Sequence, residues 1–68
     1  MHVDYDEAER WLVVCRGRLR VVANLGPRGQ RVPLDRPVAA VLAASVPGVT
    51  TDGDVLTVPA TSITVIET

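Results

Sequence analysis

A chain of 68 residues with a formal net charge of −1, one cysteine and one histidine has room for a single hydrophobic core and no disulfide or metal staple to reinforce it. That charge argues against a domain that grips nucleic acid through its phosphates. No apolar run approaches the ~20 residues of a membrane-spanning helix, and "MHVDYDEAER" is acidic where a secretion signal is basic. The expectation is a soluble, marginally stable domain in a reducing, cytoplasmic setting, free of cofactors and cut from something larger in which a neighbour supports it.

Residues 1–9 read as an acidic, solvated arm with at most a turn at Tyr5 to Glu9, and residues 10–68 as the folded domain. "RWLVVC" and "RLRVVANL" are strand-like runs joined through Arg16-Gly17, a hairpin signal because a type I′ turn wants positive φ at its glycine. With that loop Cys15 faces Arg18, Val14 faces Leu19 and Leu12 faces Val21. One face then carries Leu12, Val14, Leu19, Val21, Ala23 and Leu25, and is expected to build the core. The other carries Trp11, Val13, Cys15, Arg18, Arg20, Val22 and Asn24, a mixed set expected to face a neighbour. A three-residue loop would place the arginines beside Leu12 and Val14, a worse partition.

"QRVPL" contains Pro33, which cannot donate to a ladder, so it belongs on an edge. "PVAAVLAAS" starts at a proline, is short and lies among strands, so it is read as a strand. "VPGV" and "TDGD" are turn chemistry, with Gly53 at a tight hairpin. "DVLTVP" and "SITVIE" close the chain as strands joined through Pro59-Ala60-Thr61. The pattern predicts an all-β domain, a small antiparallel β-sandwich of about six short strands with Greek-key-like connections.

Trp11 on the mixed face, diagonal to Arg20, is the most suggestive candidate. An indole can stack on a sugar ring, and Arg18 and Arg20 could bond its hydroxyls. The same indole equally serves packing under a loop or against another domain. Asp4, Asp6, Glu7 and Glu9 are oxygen ligands at close spacing, but they lack the glycine-turned loop that calcium sites use and read as solvated. Cys15 has no histidine to activate it, since His2 lies near the chain end, so it reads as a structural thiol. No pair of carboxylates and no nucleophile with a base is held across a cleft, so no catalytic residue and no metal site is expected. "RGRLR" is a turn with flanking charges rather than a nucleic-acid patch.

The order of "RWLVVCRGRLRVVANLGPRGQRVPLD", "VLAAS" and "GDVLTVPATSITVIE" resembles the C-terminal β-domain of α-amylase-superfamily glycoside hydrolases. Within them it is most similar to the maltooligosyltrehalose trehalohydrolase type. The carrying features are the strand ending in Asn24-Leu25, the arginine-rich turn into "RVPL", and the closing "LTVPATSITVI". Ala43 and Ala44 stand where bulkier residues are expected. The resemblance implies a sandwich packed against a catalytic barrel in the same chain, within an enzyme that releases trehalose from α-glucan-derived substrates. The catalytic acids of such enzymes lie in the barrel, and none maps onto this chain. An alternative is a module that binds maltooligosaccharide, or the accessory domain of another superfamily member. Sparse aromatic area, Tyr5 and Trp11 with no phenylalanine, favours the structural role.

Overall fold

The computed structural model describes Met1 to Thr68. The chain forms eight strands and no helix: β1 (His2–Asp6), β2 (Trp11–Arg16), β3 (Leu19–Asn24), β4 (Gln30–Pro33), β5 (Ala40–Ala44), β6 (Thr50–Asp52), β7 (Val55–Val58) and β8 (Ser62–Glu67). They make a five-stranded sheet in the order β1-β2-β3-β8-β5 and a three-stranded sheet in the order β4-β7-β6, antiparallel throughout. Four connections cross between the sheets (β3 to β4, β4 to β5, β5 to β6 and β7 to β8). This is the expected small antiparallel sandwich, with two strands more than the pattern suggested. β1 arises from the acidic segment, whose backbone pairs with β2 from His2↔Cys15 to Asp6↔Trp11 while its side chains stay mostly exposed. β6 is only three residues long, too short to stand out in a turn-rich stretch.

The β2–β3 hairpin keeps a two-residue loop but places it one residue later than expected. Arg16 pairs with Leu19, Cys15 with Arg20 and Val14 with Val21, so the loop is Gly17-Arg18. Gly17 takes the first loop position at φ 59°, where a type II′ turn needs its glycine. Gly53, at φ 61° between Asp52 and Val55, repeats the device. A slip of two residues leaves every side chain on its original face, so the predicted partition of the hairpin survives.

What reverses is which face is covered. The core is built from Val13 and Val22 of the mixed face, Ile66 of β8, and Val32, Leu34, Leu56 and Val58 contributed by the second sheet and its flank. Trp11, Cys15, Val38 and Val49 pack around it. Each large side chain so buried contributes roughly 1.5–3 kcal/mol. The mixed face can be covered because its polar members find partners inside. Asn24, fully buried, donates from Nδ2 to the carbonyls of Arg28 at 2.8 Å and Pro59 at 2.9 Å, and its Oδ1 accepts from the Gly26 amide at 3.0 Å. It ties the end of β3 to the β3–β4 loop and to the β7–β8 crossover. Thr61, at φ 50°, reinforces this knot by donating its amide to the Gly26 carbonyl at 3.1 Å.

"QRVPL" is an edge strand as its proline required, paired with β7 so that Pro33 lies opposite Val55. β5 is the other edge of the larger sheet, paired with β8 and bulged between Val41 and Ala43.

Candidate functional site

The three residues put forward as a sugar or domain contact do not come together. Trp11 lies opposite Asn24, and Arg20 lies opposite Cys15, four cross-strand pairs further along. The expected diagonal between indole and guanidinium is therefore absent. Arg20 has been drawn into the interior, with its side chain only 4% exposed. Its Nε and Nη2 donate to the two carboxylate oxygens of Asp35 at 3.1 and 2.9 Å, and Nη1 donates to the carbonyls of Gly17 and Leu19 at 2.8 and 2.9 Å. The two-point pairing of a planar guanidinium with a carboxylate, with Nη1 on two carbonyls, engages four of its five donors. It holds Asp35 below the usual carboxylate range, chiefly through that hydrogen bond, and raises Arg20 for the same reason. Arg18 is exposed in the hairpin loop and donates from Nε to the Thr68 carbonyl at 3.3 Å. Cys15 is half-buried against the core. No group of three or more histidine, cysteine or acidic side chains is placed to hold a metal ion.

The feature that does stand out is the face expected to be the core. The register lines up two rows across the outer side of the five-stranded sheet. One runs Tyr5, Leu12, Ala23, Ile63, and the other Val3, Val14, Val21, Val65, Ala43. No second layer covers them; Tyr5, Val3 and Ile63 are 71%, 45% and 51% exposed, Leu12, Val14, Val21 and Val65 are half-buried, and the small Ala23 is buried among its neighbours. The outer side of the three-stranded sheet is different in kind. Its rows run Arg31, Thr57, Thr50 and Pro33, Val55, Asp52, the polar alternation of a sheet that faces water. One sandwich thus has one polar outer face and one apolar outer face.

At a corner of the apolar face lies an open hollow of about 450 Å³, where the β1–β2 turn meets Leu25. Tyr5, Trp11, Leu12 and Leu25 form its walls, and Asp6, Glu7 and Arg10 also line it. Composition alone did not point here, because Tyr5 lies in a segment read as a solvated arm. The signal was the alternation Val3-Tyr5 among acidic residues, which is a strand's period.

The family described as a domain of unknown function, DUF3459, matches residues 1–65. This family is a C-terminal domain of α-amylase-type enzymes. Malto-oligosyltrehalose trehalohydrolases of two strains of Mycobacterium tuberculosis are each 50% identical to the chain over 32 residues, 47% of this chain and 6% of theirs. The aligned stretch is thus a small part of those curated relatives. No solved structure matches the chain.

Proposed function

The chain belongs to the DUF3459 family, and on that premise we propose that it is a non-catalytic accessory domain. It packs on the catalytic barrel of a maltooligosyltrehalose trehalohydrolase-like glycosidase and stabilises it. The observation that carries this reading is the uncovered apolar face of the five-stranded sheet. Its two rows supply apolar surface four and five strands wide, with charge only at the far end, where Arg16, Leu19, Glu67 and Ala40 make a third row. A sheet with one face of this kind buries it against another layer, and in this reading the catalytic domain is that layer. The relatives' printed name supports placing the parent among enzymes that release trehalose from malto-oligosyltrehalose. A cytoplasmic setting belongs to the same proposal.

The role is stabilisation rather than chemistry. Shielding apolar barrel surface raises the free energy of opening the parent without touching its reacting groups. The test is Ile63→Lys in the full parent enzyme. Ile63 is half exposed, so the domain itself tolerates the change. The expected result is a parent that melts several degrees lower with its catalytic constants unchanged at low temperature. A parent whose melting is unaffected would remove this face from the interface.

A further inference from the structure

Four strands stand at the edges of the two sheets, and three of them are guarded against further pairing. β1 carries Asp4 and Asp6, β4 contains Pro33, which has no amide to donate, and β6 is three residues long and ends in Asp52. β5 has neither charge nor proline: Ala40-Val41-Leu42-Ala43-Ala44 is wholly apolar. We propose that β5 is a strand-addition edge that takes β5 of a second copy of this chain, antiparallel about a two-fold axis.

The backbone supplies the ladder. β5 pairs only with β8, and an antiparallel strand turns alternate N–H and C=O groups away from a single neighbour. No loop or turn hydrogen bond between backbone groups reaches residues 40–44. The side chains are equally uncovered. Val41 and Leu42 are 44% and 54% exposed, and Ala43 and Ala44 are exposed too. Val41 lies opposite the fully buried Ile66 on the inner side, so the larger sheet overhangs the smaller one along this edge.

The side chains also select the occupant. A two-fold axis sets a strand against itself, so any charge in it meets its own image, and β5 has none. The bulge fixes the register. Val41 faces inward opposite Ile66, Leu42 and Ala43 stand together opposite Val65 on the outer side, and Ala44 faces inward opposite Thr64. Cross-strand neighbours share a face. An axis between Leu42 and Ala43 meets that condition, with Val41 opposite the partner's Ala44 and Leu42 opposite the partner's Ala43. An axis through Leu42 itself would set inward Val41 against the partner's outward Ala43. In the allowed register each large side chain meets a small one, so the strand fits its own copy. The pairing joins two five-stranded sheets in one plane and leaves their outer faces free, so it does not depend on the docking proposed above. Five residues a side bury far less than the roughly 1,200 Å² of a stable complex, which makes the dimer a weak one.

The test is sedimentation equilibrium of the 68-residue chain up to millimolar concentration, with isotope-filtered NMR on a mixture of labelled and unlabelled chain. The expected result is a monomer–dimer equilibrium with a dissociation constant on the order of 0.1–1 mM. Intermolecular contacts should run from the Val41 methyls to Ala44 and from Leu42 to Ala43. Leu42→Glu and Leu42→Lys, at a half-exposed position, should keep a dispersed spectrum. Each alone should weaken association about tenfold or more, because the axis brings the two copies of residue 42 side by side. An equimolar mixture of the two should restore it. Ile63→Lys, which would break a stack of two apolar faces, should leave the edge pairing unchanged. A chain monomeric at millimolar concentration would give the edge to another occupant and overturn the proposal. Association lost in Ile63→Lys, association kept in Leu42→Glu, or a mixture that fails to recover would each overturn it as well.

Discussion

The two sides of the five-stranded sheet are made by the same strands, yet they obey different logic. The covered side is the more polar. Its rows run Asp6, Trp11, Asn24, Ser62; then Asp4, Val13, Val22, Thr64, Ala44; then His2, Cys15, Arg20, Ile66, Val41. The uncovered side is almost wholly aliphatic. Burial in this domain therefore follows the availability of partners as well as apolarity. Arg20, Asn24 and Ser62 are buried because Asp35, Arg28 and Pro59 lie where they can be reached. A polar group with its hydrogen bonds satisfied costs little to bury, whereas the aliphatic side has no second layer of this chain over it.

The contrast is broken most severely from within the core. Leu56, fully buried at the centre of the three-stranded sheet, should cost about 2–5 kcal/mol when replaced by alanine. A domain this small has only a few kcal/mol in reserve, so loss of amide dispersion in the Leu56→Ala spectrum is the expected outcome. A cooperative melt near that of the parent would mean the second sheet does not hold the core.

Next in size is Asn24→Ala. It strands the Gly26 amide and removes a donor from the Arg28 and Pro59 carbonyls where two connections meet the end of β3, and about 1–3 kcal/mol should be lost in urea unfolding. Thr64 runs the other way. Its buried Oγ1 has no hydrogen-bond partner, so Thr64→Val, with the same shape and no hydroxyl, should raise stability by about 1 kcal/mol. A drop instead would show that the hydroxyl has a partner after all.

Acid sharpens the same comparison through Asp35, whose carboxyl is held low by Arg20. A depressed folded-state value stabilises above the unfolded-state value of about 4, and that contribution is lost as pH falls through the folded value. The stability of the parent chain should therefore fall below about pH 4 by a modest amount, because half of the Asp35 side chain is exposed. In Arg20→Gln this acid step should shrink. The smallest effect belongs to the outer side. In the isolated chain Ile63→Lys should stay within about 0.5 kcal/mol of the parent, although it is the change expected to weaken the docked enzyme.

Much of this fold was legible before any coordinates. β-branched runs between glycine and proline dictated strands, Pro33 dictated an edge, and the period of two divided the hairpin into its true faces. Parity alone settled that division, so a register error of two residues did not disturb it. β1 and β6 escaped because one lies in an acidic segment with Asp4 and Asp6 alternating with Val3 and Tyr5, and the other has only three residues. The diagonal of Trp11 with Arg20 did not form because it depended on an exact register, which parity does not determine.

What the sequence determined by itself was the local alternation and hence which side chains travel together. Only the tertiary structure decided which of the two faces is buried, since that depends on where residues far along the chain bring their partners. Asp35 reaches Arg20 and Pro59 reaches Asn24 across 15 and 35 positions of chain, distances over which a period of two carries no information. The β1–β2 pairing, by contrast, is local, and it lifted Tyr5 out of an apparent arm and set it opposite Leu12.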